Sequence, residues 1–351
     1  MNAMRYDNKI STRPVWEGDT VYNETVWPID LDGGEPVIPL LYHADRIISV
    51  TDTSLEREFS AGVDYGLKDG KILIKRDGNI KITPRDGFFL KEIQQDSPFK
   101  IAAEGGGWLY FAEGDGITKK QICVTYAHTD EWSFSTPAKT AKLKRTLGRI
   151  KNKEKLNFAF FGDSITYGCN SSGLKDINVP PYAPIWPEMI VERMRQNGGD
   201  IGYVNRAVGG MDSRWGAENL YGLFKNDAPD LMLIAFGMND GDVAHFEEYI
   251  TKMTEDALKI NPGCEFLLVS TILPHRLAAG FYREQYKQQQ ILQRICESYG
   301  DKAELVPMTD MHKALLQRKR YMDMTGNNVN HPNDFLAAVY AQTVLRILGE
   351  I

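Results

Sequence analysis

The sequence predicts an α/β protein made of two unlike halves. An all-β, jelly-roll-like sandwich is expected over residues 1–136, a linker helix at 137–155, and a three-layer domain with a parallel sheet over residues 156–351. Three observations predict this. A length of 351 residues favours two domains over one, each able to bury its own core. Short apolar runs separated by turn signals fill the first half, as in Lys71-Ile72-Leu73-Ile74-Lys75 followed by Asp77-Gly78 and then Ile80-Lys81-Ile82-Thr83. After Pro137 the period changes, and continuously apolar runs alternate with helical segments.

Taken in order, the stretch from Val15 to Phe134 is punctuated at Gly62, Gly70, Gly87, Gly105-Gly106-Gly107 and Gly114. Short strands at spacings of roughly 8–12 residues with turn chemistry between them point to a sandwich. Residues 138–151 carry Leu143, Leu147 and Ile150 as one apolar stripe on a lysine-rich background, which suits a helix. The bases between Lys139 and Lys155 are read as a solvated helix face, because no aromatics interleave with them. Strands are then expected at 156–161, 203–208, 231–236, 266–271 and 305–306, with helices near 186–197, 246–260, 282–299 and 334–348. Apolar strands alternating with helices predict a parallel sheet covered on both faces, whose ligands bind at the carboxyl ends of the strands.

Composition narrows the function. The chain has 47 acidic against 41 basic residues, a net charge of −6, so no global field favours binding a polyanion, and nucleic acid is not an expected partner. Cys123, Cys169, Cys264 and Cys296 are scattered without metal-ligand spacing, which reads as reduced thiols, no metal site and a cytoplasmic protein. The opening MNAMRYDNKI lacks the apolar run of a secretory leader, and no stretch reaches the roughly 18 apolar residues of a membrane span. Neither membrane nor cofactor is expected.

Four motifs sit where the strands end. Gly162-Asp163-Ser164 places a hydroxyl at a strand-to-loop turn. Gly209-Gly210 lets backbone N–H groups approach a ligand without a Cβ in the way. Gly237-Met238-Asn239-Asp240 supplies an uncharged amide donor. Asn330-His331-Pro332 sets a histidine just before the last helix. Each alone is an ordinary cap, turn or polar residue. Together they supply a serine, a base and oxyanion donors at one end of one sheet, which is what acyl transfer through a tetrahedral intermediate requires.

On these residues the stretch from about 155 to 351 resembles the SGNH, or GDSL, hydrolases. Gly162-Asp163-Ser164 matches their first block, Gly210 the second, Gly237-x-Asn239-Asp240 the third and His331-Pro332 the fifth. The resemblance implies Ser164 as nucleophile and His331 as general base and acid. It also implies an oxyanion hole made by the Ser164 and Gly210 N–H groups and the Asn239 side chain.

One position departs from the pattern. The family's aspartate three residues before the histidine is Asn328 here, so the triad acid is missing. Asn328 is a candidate for orienting the imidazole without charge, and Asp323 and Asp334 are candidates for reaching it from nearby. A backbone carbonyl is a third candidate for orienting the ring, and a Ser-His dyad with no obligatory acid is the expectation. Trp215, just past Gly210, and His275, after the fourth strand, are candidate substrate contacts; core packing and an exposed loop position are their plainer roles. Cys169 is read as a small core residue.

A strand-rich region before an SGNH domain resembles carbohydrate esterase family 2 and related acetyl esterases. Trp16, Trp27, Trp108 and Trp132 lie in that region, where indole faces suit sugars although burial is the commoner role. The expected function is deacetylation of a small or oligosaccharide ester through an acyl-enzyme. A short-chain lipid esterase, lysophospholipase or thioesterase shares the same machinery, and a glycan-binding protein with a decayed catalytic half is the reading of another class. The oligomeric state is not legible.

Overall fold

The computed structural model describes residues 6–95 and 99–351; the first five residues of the stretch read for a leader lie outside them. The second half contains a five-stranded parallel sheet. Its order is Ile201–Asn205, Leu156–Gly162, Leu231–Ala235, Glu265–Val269 and Ala303–Val306. Side chains on a strand alternate between faces, and here both faces are covered. Phe158, Phe160, Leu231, Leu233 and Leu267 pack toward the helices Trp186–Gln196 and Asp334–Leu348. Ala159, Phe161, Met232, Ile234 and Phe266 pack toward the helices Ser213–Phe224, Phe246–Ile260 and Gln285–Tyr299. These are three layers. The strand Leu156–Gly162 is where the order reverses, with the next strand on one side and the third on the other. Such a switch point opens a crevice at the strand's carboxyl end.

The helices Phe246–Ile260 and Asp334–Leu348 have the expected bounds. The second strand lies at Ile201–Asn205, earlier than its apolar pattern suggested, because Arg206 turns away to pair with Asp227 at 2.7 Å. The pattern also missed the helices Ser213–Phe224 and Met308–Leu316.

The first half is rich in antiparallel strands. Ile122–Ala127 pairs on one edge with Thr20–Val26 and on the other with Arg46–Asp52. Lys71–Ile74 lies between Val37–Ile38 and Tyr65–Lys68. The described strands thus form sheets of two or three strands rather than two extended sheets. The linker helix is shorter than expected, Lys144–Asn152, because Leu143 takes a left-handed conformation before it, φ 51°. Its bases make ion pairs with the sheet half: Lys144 with Asp301, and Arg149 with Asp230 at 3.2 Å.

The halves share their interior. Val21, Val50, Ile72 and Tyr126 belong to the same buried cluster as Phe158, Met189 and Leu345. A second cluster joins Trp27, Phe88 and Ile101 to Ala278, Met322 and Val329. Between them lies a fully buried ion pair of Glu24 and Lys319. Glu24 also accepts from Leu41 N and from the Tyr126 hydroxyl at 2.7 Å, and Lys319 donates to the Thr25 carbonyl at 3.0 Å. A buried charge is tolerable only when paired and hydrogen-bonded, and this one is.

Candidate active site

The turn after the first strand is set by sterics and a cap. A Cβ at Gly162 would overlap the Ala235 carbonyl and the Thr166 hydroxyl, so no other residue fits there. Asp163 then caps the short helix Ser164–Tyr167, accepting from Ile165 N at 2.9 Å. Burial pushes the Asp163 carboxyl up to about 7, although the Ile165 N–H and His331 pull it down. Ser164 follows at the helix start, 5% exposed.

His331 meets it from a loop that closes on itself. The Asn327 side-chain oxygen accepts from the N–H groups of Val329, Asn330 and His331 at 3.0, 3.0 and 3.1 Å. Thr325 accepts from Asn328 N and donates to the His331 carbonyl. In this cradle His331 Nε2 lies 2.9 Å from Ser164 Oγ. Its other nitrogen, Nδ1, lies 2.7 Å from Asn170 Oδ1. The Asn170 amide is oriented by its own donations to the carbonyls of Gly114, 2.9 Å, and Gly326, 3.3 Å. With Oδ1 so placed, Nδ1 carries the proton and Nε2 is free to accept from Ser164.

A carboxylate completes the surroundings, and it comes from the first half of the chain. Glu113 Oε2 lies 3.4 Å from His331 Nδ1, and Glu113 Oε1 accepts from Asn327 Nδ2 at 3.3 Å. Burial pushes its carboxyl up, but His331 and the amides of Asn327 and Asn170 outweigh this and hold it below the ordinary glutamate range.

The other donors lie nearby. Gly210 has φ 78°, and a Cβ there would meet nothing within 4 Å. Among the described residues, neither its N–H nor that of Ser164 is donated to a protein backbone acceptor. Asn239 Nδ2 donates to the Met211 carbonyl at 2.9 Å, which fixes the amide and leaves a second proton on the same nitrogen. Asp240 bonds the hydroxyl and N–H of Ser213, tying the Asn239 turn to the Gly210 loop. Burial pushes the Asp240 carboxyl up to about 6 against those bonds.

The residues expected to orient His331 are elsewhere. Asn328, at φ 69°, donates to the Tyr110 carbonyl at 2.9 Å. Asp323 is taken by Arg320 at 2.7 Å and by Trp27 N at 2.8 Å. Asp334 accepts from Ser172 N at 3.0 Å, at the start of the last helix. The groups found at His331 Nδ1 are therefore a side-chain amide and a carboxylate, not a backbone carbonyl. The two candidate substrate contacts stand differently: Trp215 is partly exposed and His275 is buried. Trp215 packs on Phe161, ring centroids 5.8 Å apart. His275 is buried, stacked on Tyr321 at 4.3 Å, with Nδ1 on the Asn328 carbonyl. Burial lowers its pKa to about 4, so it is a neutral structural ring rather than an exposed loop residue.

Sequence reading missed Glu113 and Asn170. Neither Ala112-Glu113-Gly114 nor Cys169-Asn170-Ser171 carries a motif that sets it apart from ordinary loop chemistry. Cys169 is inert, since burial pushes its thiol up to about 12. All four cysteines are free thiols. Among the described residues no His, Cys, Asp and Glu cluster could hold a metal ion, and no helix is long and apolar enough to cross a membrane.

Comparison with solved structures finds several similar chains. One is a two-domain esterase (CEX) active on acetylated mannans, 24% identical, covering 59% of this chain and 52% of that one, TM-score 0.47. The match thus spans about half of that esterase's length. Another is an acetylxylan esterase from Geobacillus stearothermophilus, 18% identical over 55% of this chain and 94% of that one, TM-score 0.44. A third is a GDSL-like lipase from Parabacteroides merdae, 16% identical over 56% and 96%, TM-score 0.46. No curated protein matches the chain. Residues 160–337 match the GDSL-like Lipase/Acylhydrolase family. That span is just over half of the chain and runs from the serine turn through the histidine loop, so the chain belongs to the GDSL-like lipase/acylhydrolase family.

Proposed function

We propose that this ester hydrolase works through Ser164 as nucleophile and His331 as base, and that its substrate is an O-acetylated carbohydrate. The observation that carries the mechanism is the 2.9 Å contact of His331 Nε2 with Ser164 Oγ. In the first half-reaction Oγ attacks the ester carbonyl carbon as its proton passes to Nε2. The oxyanion is met by the N–H groups of Ser164 and Gly210 and by the Asn239 amide. Collapse breaks the ester C–O bond, and the proton on Nε2 goes to the departing sugar oxygen. Water then repeats the sequence on the acyl-enzyme, with His331 again as base.

A hydroxyl-rich alcohol is supported by the polarity of the wall beside His331. Glu113 and Asn330 offer polar groups there, joined to one another through the buried Asn327 amide. Tyr167, 39% exposed and three residues after Ser164, adds a ring edge at the surface. Mannan and xylan are the two polymers named for similar solved structures, and they set the test. Acetylated manno- and xylo-oligosaccharides incubated with wild type should lose one acetyl mass per site by mass spectrometry, and with Ser164→Ala none. Activity surviving in Ser164→Ala would refute the mechanism. A p-nitrophenyl ester series peaking at octanoate or longer would refute the substrate class.

A further inference from the structure

Any base that takes the Ser164 proton becomes an imidazolium, and an imidazolium needs both a fixed ring and a nearby negative charge. The two requirements are divided here. Asn170 fixes the ring, at 2.7 Å from Nδ1, but carries no charge. Asn328, which stands where the family places its acid, is turned away to the Tyr110 carbonyl. We infer that Glu113, supplied by the first half of the chain, is the anionic positioning residue of His331. This rests on the reading of Ser164 and His331 as nucleophile and base.

Three independent contacts hold Glu113 in place. Its Oε2 lies 3.4 Å from His331 Nδ1, and its Oε1 accepts from Asn327 Nδ2 at 3.3 Å. The next residue, Gly114, has its carbonyl bonded by Asn170 Nδ2 at 2.9 Å, so the backbone that carries the glutamate is tied to the amide that shares the imidazole proton. The same loop is joined to the histidine loop once more through Tyr110 and Asn328. The Nδ1–H thus has two acceptors side by side, the amide at 2.7 Å and the carboxylate at 3.4 Å.

The other titratable groups facing this cluster are few. Asp163 lies behind Ser164 and acts on His331 through space, but burial raises it to about 7, so it is partly protonated where the base must operate. Cys169, beside Glu113, is held as a thiol. Asp334 is directed to Ser172 N. Glu113 is the one of these carboxylates that touches the ring and is shifted toward its ionised form.

The test compares wild type, Glu113→Gln and Glu113→Asp on p-nitrophenyl acetate between pH 4.5 and 9, with Ser164→Ala as the control. An opposite charge within about 4–6 Å favours the charged form of a histidine. Removing it should therefore move the acidic limb of kcat/KM to lower pH. It should also lower kcat roughly 10- to 100-fold with KM within about threefold, less than the roughly 10⁴ cost of a triad acid that also holds the tautomer. Glu113→Asp keeps the charge and should keep the acidic limb near that of wild type. The rate of Ser164 labelling by a fluorophosphonate, followed over the same pH range, should fall in Glu113→Gln in parallel with kcat. The side chain is 37% exposed, so the isosteric amide is accommodated; Glu113→Ala is the second variant and should shift the limb in the same direction. An unmoved limb and unchanged kcat in Glu113→Gln would overturn the inference, as would equal losses in the Gln and Asp variants with the limb unmoved. Activity surviving in Ser164→Ala would instead overturn the reading on which it rests.

Discussion

In the parallel-sheet half, Ser164, Gly210 and Asn239 each stand in the turn or loop that follows a strand, and His331 stands in the loop between the helices Met308–Leu316 and Asp334–Leu348. Ser164 comes after Leu156–Gly162, Gly210 after Ile201–Asn205 and Asn239 after Leu231–Ala235. In the first half, residues 110–114 reach the same histidine from a loop with no motif, joined by the Tyr110 and Gly114 carbonyls and by Glu113. The difference separates two ways of placing a side chain. A strand-end turn is dictated by its neighbours in sequence, whereas a docked loop is dictated by the surface it lands on.

The junction is the place to break this comparison most severely. Lys319→Met leaves Glu24 buried and unpaired, and should destabilise the protein by about 3–5 kcal/mol in urea unfolding. Pairing it with Glu24→Gln should recover part of that loss. Next, Asn239→Ala removes an oxyanion donor from the sheet half alone, and should cost about 10²–10³ in kcat with the melting temperature little changed. Asn328→Asp restores the family's usual acid in name only. Its buried side chain would face the Tyr110 carbonyl without a proton to give, so stability should fall by about 1–3 kcal/mol and kcat should not rise. Calorimetry with steady-state kinetics on the same preparation decides this.

The smallest effect concerns pH. Burial raises the Asp334 carboxyl to about 6, above its value in the unfolded chain. Its contribution to stability is therefore fully present near pH 4 and lost as pH rises through about 6. Asn can still accept from Ser172 N without ionising, so the melting temperature of Asp334→Asn should gain on wild type between pH 4 and pH 8. A constant difference across that range would mean that the carboxyl titrates normally.

Legibility followed the same division. Ser164, Gly210 and Asn239 were readable because each stands in a short motif just past a strand, and His331 because it stands in a short motif just before the last helix. The helix Asp334–Leu348 was readable because its apolar residues repeat and Asn333 caps it. Glu113 and Asn170 were not. Asn170 lies in the left-handed region at φ 67°, where asparagine is an ordinary turn residue. Glu113 stands 218 positions from His331 in sequence, in a glycine-flanked loop whose destination depends on how the two halves dock. The shared core was hidden for a related reason. The apolar runs of residues 15–134 looked sufficient for a sandwich of their own, yet they pack on the last helix and on the loop around Met322.

The buried pair of Glu24 and Lys319 also bears on how the chain is made. The two residues are 295 positions apart, so at roughly 5–20 residues per second a ribosome exposes Glu24 about 15–60 s before its lysine emerges. Throughout that interval the strand Thr20–Val26 carries a glutamate at a position that becomes fully buried, with only Leu41 N and the Tyr126 hydroxyl to hold it. The first sheet can form early, but its interior closes only when the C-terminal residues arrive, and until then the nascent chain presents an unfinished apolar surface for chaperones to cover.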